Sequence, residues 1–258
     1  MTQELLDLLE KNFYTFLFIF FRFIFLFFLF PLFASAFFPS KIKIALSLIL
    51  ALTFTPFISL KFTTPQNFLF FLTTLFYDFF LFFLISLFFR FILAGLQLGG
   101  ELVGLQMGFG ISQTFDPMSG ISMPILSQFI YLLFLLFFFV LDIHHYLLYF
   151  VFKSFEQIPP GTYIYHDSLI NFIIKKSALI FDIAVKVLAP LLVFMLMFNI
   201  TLAIVGRLIP QINVLFVSFP LTLGIGLLFF GLMLILVPTV FKSFLGDFAK
   251  FLTLLIRG

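Results

Sequence analysis

Only a small set of residues in this chain carries side chains suited to acid–base or metal chemistry beside apolar sequence: Asp142, His144, His145 and Asp182. A catalytic pair or a metal site needs ligand atoms that converge on one point. Neighbouring residues on a helix point about 100° apart, so His144 and His145 are not expected to face one metal as an i, i+4 pair would. The expectation is a polar patch at a helix end, flanked by Tyr146 and Tyr149 at headgroup level. No catalytic residue, no metal ligand and no cofactor is assigned. The chain has no cysteine, which removes disulfides, thiolate zinc sites and cysteine nucleophiles together. Its glycines are followed by no Lys and no G-x-x-x-x-G-K-[ST], so a phosphate cradle is excluded.

A second group consists of charges embedded in apolar sequence: Arg22, Asp78, Arg90, Glu101 and Lys186. Each would cost at least about 2.5–3.5 kcal/mol at a bilayer centre, so each should face a cavity, a protein partner or the interface. Pairing in an assembly is the main expectation, with a proton or ion path as the alternative. Arg90, Glu101 and Arg207 are the residues assigned to pairing with a partner or along a helix.

The elements that must hold these residues follow from composition. The chain has 258 residues, is 63% hydrophobic with 49 Phe, and is only 10% charged, far below the roughly 25% of a soluble domain. Stretches 13–31, 42–60, 68–89, 125–141, 177–198 and 212–241 approach or exceed the roughly 20 apolar residues that let a helix cross hydrocarbon. The fold class is therefore all-α: hydrophobic, kinked helical hairpins in a membrane setting. The first stretch, with Glu4, Asp7 and Glu10 before it, does not read as a cleaved signal and is expected to stay. Lys11, Lys61, Lys153, Lys175, Lys176, Lys242, Lys250 and Arg257 fall on one set of loops, and Lys41, Lys43 and Arg207 on the other, which for six segments inserted in a bilayer in the ordinary way places both termini in the cytoplasm by charge bias. The basic residues form no block, so nucleic acid is not an expected partner. Pro31, Pro56, Pro190, Pro220 and Pro238 are each expected to remove a helix hydrogen bond and kink a helix that neighbouring protein covers.

Gly95 and Gly99, and then Gly100, Gly104 and Gly108, recur at four-residue spacing. On a helix, here expected over about 93–107, each register opens one face to close backbone approach. Gly100, Gly104 and Gly108 are assigned to helix packing. From Gly108 the composition changes. Gly108, Phe109, Gly110, Ile111, Ser112, Gln113, Thr114, Phe115, Asp116 and Pro117 combine turn formers with two large apolar side chains. Irregular backbone near membrane depth is tolerated only when buried in protein or lining a cavity, so this is either an ordinary turn or a loop that lines or closes a pore.

Three stretches, in order and spanning most of the chain, carry a family resemblance. Glu101-Leu102-Val103-Gly104-Leu105-Gln106-Met107-Gly108 with Thr114-Phe115-Asp116-Pro117 is similar to a "GE-x-x-GLQMG … TF-x-DP" signature. His144 to Leu148, with Ser154-Phe155 and Ile158-Pro159-Pro160-Gly161, is similar to "GHLLL … SF-x-x-LPxG". Arg207 to Val214, with Phe219-Pro220-Leu221, is similar to "R-x-x-PQ-x-NVF … GFPL". Together they resemble the FliR family of flagellar biosynthetic proteins, whose relatives serve in the type III secretion injectisome. The chain departs from that pattern where Asp142-Ile143 replaces a frequent Asn-Gly and where Pro160 replaces an apolar residue.

The resemblance implies a non-enzymatic core subunit of the flagellar export gate in the bacterial inner membrane, at the flagellar basal body. In that family one chain joins FliP-like and FliQ-like subunits in a helical shell around the pore for exported proteins, with FlhB-like and FlhA-like components as further partners. It also implies a FliP-like portion over residues 1–171 and a FliQ-like hairpin over 172–258. The loop at Gly108 to Pro117 would be the pore plug, with Phe109 and Phe115 as stoppers and Gly108 and Gly110 lending mobility. Two rival readings are a solute or ion transporter, motivated by broken helices and embedded charge, and an intramembrane hydrolase using Asp142 and His144.

Overall fold

The computed structural model of the chain describes residues 2–34, 38–58, 67–109, 125–162, 167–209 and 214–257. These residues are helical with no strand among them: α1 (Thr2–Leu29), α2 (Pro31–Ala34), α3 (Ser40–Phe54), a 3₁₀ turn (Thr55–Phe57), α4 (Phe68–Gln106), α5 (Ile125–Val140), α6 (Ile143–Gln157), α7 (Asp167–Ser177), α8 (Leu179–Leu208), α9 (Val214–Met233), a second 3₁₀ turn (Leu234–Leu236) and α10 (Val237–Arg257). Long apolar runs leave the backbone no solvent partner, and the helix satisfies every interior N–H and C=O locally. Spans at Glu10–Leu29, Ser40–Phe57, Phe68–Gln106, Leu188–Leu208 and Phe216–Met233 are long and apolar enough to cross a bilayer, and α5 with α6 qualifies as a sixth when taken as one broken span. This is the helix content of a membrane protein, as composition indicates.

Stretch 68–89 and the glycine-faced helix are one element. α4 runs 39 residues without a break, roughly 58 Å at the standard rise, because its glycines are packed and no proline interrupts it. The prolines divide into two kinds. Pro190 and Pro220 lie inside α8 and α9. Pro31 and Pro238 instead open α2 and α10, and Pro56 sits at the start of a 3₁₀ turn. At a helix start the missing N–H has no intrahelical partner to lose, so the expectation of five interior kinks is corrected to two.

The chain divides into two compact units. The first comprises residues 1–90, 142–173 and 249–258. Its core is aromatic: Phe88 stacks on Phe251 at 5.1 Å and on Phe172 at 6.3 Å, and Phe30 meets Phe89 at 4.6 Å. The second comprises residues 91–141 and 174–248. There α8 and α9 pack on each other, with Phe194 stacked on Phe229 at 3.7 Å, and Lys176 on α7 pairs with Asp247 on α10 at 2.5 Å.

At the centre of the first unit is a fully buried arginine. Arg22 of α1 donates from Nε to Asp78 Oδ2 at 2.9 Å and from Nη2 to Oδ1 at 2.8 Å, a two-pronged pair with α4. Its Nη1 donates to Ser154 Oγ of α6 at 2.8 Å, and Nη2 also reaches the Ile158 carbonyl at 2.8 Å. The Phe155 ring lies 4.2 Å from the guanidinium carbon. Arg22 and Asp78, expected to seek partners in an assembly, find each other within the chain. The residues that complete the network belong to the Ser154-Phe155 and Ile158 to Gly161 motif. The Thr162 N–H donates to the Pro159 carbonyl at 3.1 Å, and Gly161 takes φ +79 against Thr74 of α4. Pro then Gly with positive φ at the two central positions is the pattern of a type II turn, which accounts for Pro160 in this chain.

Removing one partner of a buried pair strands the other charge. Asp78→Asn or Arg22→Leu is expected to cost about 3–5 kcal/mol, and the double replacement Arg22→Leu with Asp78→Leu to recover most of it. Ser154→Ala should cost about 1–3 kcal/mol, by leaving one guanidinium N–H without its acceptor. Denaturant unfolding in mild detergent measures all four; equal stability of Asp78→Asn and wild type would rule out the network as a structural tie.

Candidate functional site

The C-terminal third of α4 and the turn that follows it form the candidate site. Its two glycine registers face two different helices of the second unit. A Cβ on Gly95 would lie 2.9 Å from the Ile180 carbonyl oxygen and 2.9 Å from Ile183 Cβ, and one on Gly99 would lie 3.2 Å from Ala184 Cα. Both contacts are with α8. A Cβ on Gly100 would lie 3.0 Å from Ser127 Cα of α5, whereas one on Gly104 would meet only Leu126, at 3.7 Å. The approach of α5 is fixed by a polar contact as well: Ser127 Oγ donates to the Gln97 carbonyl at 2.8 Å.

The helix ends in a defined cap. Gly108 adopts φ +89; its N–H donates to the Leu105 carbonyl at 3.1 Å, and the Phe109 N–H to the Gly104 carbonyl at 2.9 Å. This pair of bonds is the Schellman motif, which requires a left-handed residue that glycine supplies without strain. Two contacts from the α8–α9 pair hold the same turn. Asn199 Nδ2 donates to the Gln106 carbonyl at 3.2 Å, and buried Met107 fills the space that Gly226 leaves open, where a Cβ would be 2.6 Å from Met107 Cγ. The end of α4 is thus a defined, packed base from which the polar segment departs. Gly110, Ile111, Ser112, Gln113, Thr114, Phe115, Asp116 and Pro117 lie outside the described residues.

The charges selected for pairing are placed differently from Arg22. Arg90 is exposed and makes a long contact of 3.4 Å to the Leu29 carbonyl. Glu101 and Arg207 are exposed, and no ion pair among the described residues involves Arg90, Glu101 or Arg207. The side chain of Lys186 lies outside the described residues. Asp182 is exposed in the first turn of α8, where a carboxylate favours the helix dipole.

The polar patch lies at the start of α6, with Asp142 just before the helix and His144 and His145 in its first turn. Asp142 takes φ 54, a left-handed conformation that Asp tolerates, and ends α5 just ahead of α6. His145 Nδ1 lies 3.2 Å from Asp142 Oδ1, and the His144 and His145 rings are 4.1 Å apart. One ligand atom from each of Asp142, His144 and His145 falls within 4.8 Å of the others. His144 and His145 both lie in the first turn of α6, and Asp142, immediately before it, is three residues from His145 and so sits alongside it. A nearby groove of 370 Å³ between α6 and the end of α10 is walled by Tyr146, Tyr149, Phe150, Lys153, Gln157, Ala249, Leu252 and Thr253, with no carboxylate or imidazole for acid–base work.

Sequence reasoning omitted Ser127, Asn199, Met107 and Gly226 from the site. Ser127 and Asn199 are lone polar residues in apolar helices, a signal that could have found them; Met107 and Gly226 carry none, because their pairing is set by shape.

Comparison with known proteins places this geometry in context. A family profile described as "Bacterial export proteins, family 1" matches residues 13–248. The chain is 29% identical over 222 residues to the flagellar biosynthetic protein FliR of Buchnera aphidicola subsp. Schizaphis graminum, covering 86% of each. It is 29% identical over 224 residues to FliR of Aquifex aeolicus, covering 85% of each. Against FliR of Pectobacterium carotovorum it is 27% identical over 208 residues, covering 81% of this chain and 79% of the relative.

The glycine contacts generate a test in which the sign changes along one helix. Gly95→Ala is expected to destabilise by about 1–3 kcal/mol, since its methyl meets backbone. Gly104→Ala, with ordinary contact space, should be neutral or gain up to about 1 kcal/mol from helix propensity. Denaturant unfolding of the two variants side by side checks this, and a matching loss in both would contradict the packing described.

Proposed function

The chain belongs to the bacterial export proteins of family 1, the FliR family, and from that membership we propose that it is a core subunit of the flagellar type III protein export gate. It forms, with FliP-like and FliQ-like subunits, the pore through which unfolded flagellar proteins leave the cell, and it works beside FlhB-like and FlhA-like components in the inner membrane at the basal body. It is a structural, non-enzymatic subunit. Residues 1–171 act as the FliP-like portion and residues 172–258 as the FliQ-like hairpin.

The observation that carries this reading is the uncovered surface of the α8–α9 pair. The spans Leu188–Leu208 and Phe216–Met233 are each only 17% buried within the chain, yet each has an interior proline whose freed carbonyl needs a protein neighbour. A surface of that kind suits a subunit enclosed by others. The cap at Gly108, held by Asn199 and Met107, supports the plug assignment by giving the segment after it a defined mount, with Phe109 at its edge and Phe115 beyond as the apolar stoppers.

Co-expression with the FliP-like and FliQ-like chains of the same organism tests the assembly, and recovery of one large complex is expected. A chain that stays separate would refute the assignment. In the assembled complex, deletion of residues 109–115 is expected to raise permeability to small ions in reconstituted vesicles while leaving assembly intact. An unchanged barrier in that variant would remove the plug role while sparing the subunit role.

A further inference from the structure

We propose that Asp142, His144 and His145 form a binding site for a borderline divalent cation of the zinc class at the start of α6. Their ligand atoms already lie within 4.8 Å of one another. Zinc takes nitrogen and carboxylate ligands at about 2.0–2.1 Å, which at tetrahedral angles puts neighbouring ligand atoms roughly 3.3 Å apart. The His145 Nδ1 to Asp142 Oδ1 separation of 3.2 Å has the length of one edge of such a site. Small side-chain rotations bring in the third ligand, because Asp142 and His145 are about two-thirds exposed and His144 is half-buried.

The ligand set defines the ion. Two neutral imidazoles and one carboxylate suit zinc, nickel or copper, whereas magnesium and calcium favour all-oxygen sites. Coordination through His145 Nδ1 would use the tautomer whose proton sits on Nε2. The remaining coordination positions stay with water.

Two features of the setting bear on the site. The N-terminus of α6 opposes a cation through the helix dipole, a term that falls off within the first turn and that the carboxylate offsets. Against it stands the surrounding sequence: α5 and α6 together are apolar enough to count as one span, and polar side chains interrupting such a span are costly unless paired or ligated. Coordination would also hold the chain at left-handed Asp142.

The test uses the full-length chain, purified in detergent with an affinity tag that contains no histidine. The sequence has only three histidines, so the assignment is clean. Titration with zinc against a weak chromogenic chelator should saturate at one ion per chain, and cobalt in its place should give a visible d–d band that zinc removes. His144→Gln and His145→Gln should each weaken binding by at least the roughly 10-fold that losing a mere supporting partner of a metal ligand typically costs. Asp142→Asn, which keeps a residue that tolerates the left-handed conformation, should weaken it as well, and His166→Gln should leave it unchanged. Absence of saturable binding by the wild-type chain, or binding that survives the His144→Gln/His145→Gln double variant or is lost in His166→Gln, overturns the proposal and leaves Asp142 and His145 as a simple polar contact.

Discussion

The first unit depends on one buried cation. Arg22 is fully enclosed, and its guanidinium is matched by the Asp78 carboxylate, the Ser154 hydroxyl and the Ile158 carbonyl. Phenylalanine supplies most of the apolar contact around it, but phenylalanine packing is tolerant: one ring can replace another with modest adjustment. A planar fork of donors is not tolerant, since each N–H left without an acceptor in an apolar core is expensive. The registers of α1, α4 and α6 are therefore set relative to one another by Arg22, and the aromatic core fills in around that choice.

The same constraint gives the turn after α6 its chemistry. Ile158 must present a carbonyl to Arg22, the chain must then reverse, and Gly161 must approach Thr74 with a backbone that a side chain would strain. Ser154 and Phe155 lie in the last turn of α6, and Ile158 and Gly161 just past it. In space they form the receptor for a charge more than a hundred residues earlier in the chain.

The second unit is organised by shape instead of charge. Gly95 and Gly99 admit α8, Gly100 admits α5, and Gly226 admits Met107. Without a hydrophobic drive between helices in lipid, close backbone approach and a few polar contacts such as Ser127 to Gln97 decide which helices associate. The result is a well-held helix end with a left-handed glycine cap, a suitable mount for a segment that must differ from its surroundings. Local rigidity and the change in composition after Gly108 are complementary.

Much of this protein was legible from residue types alone. Apolar runs of bilayer length force helices, because unsatisfied backbone cannot sit in hydrocarbon, and so the all-α fold, the spans and the break near Asp142 follow from the sequence. The glycine periodicity pointed to close packing along α4; Gly95, Gly99 and Gly100 do meet neighbouring helices closely, whereas Gly104 has ordinary space and Gly108 caps the helix. Tertiary structure alone decided the partners. Arg22 and Asp78 could each have paired with any opposite charge, and spacing along a chain does not encode distance across a fold. Pro31 and Pro238 looked like interior breakers until the helix starts were known, since the cost of proline depends on whether its N–H had a partner to lose. Adjacency on a regular helix sets His144 and His145 about 100° apart, yet one ligand atom from each lies within 4.8 Å of the other and of Asp142, the residue just ahead of α6; that proximity is not encoded in their spacing. Local rules act through covalent neighbours and are readable in order along the chain; long-range pairing and termini are properties of the packed whole.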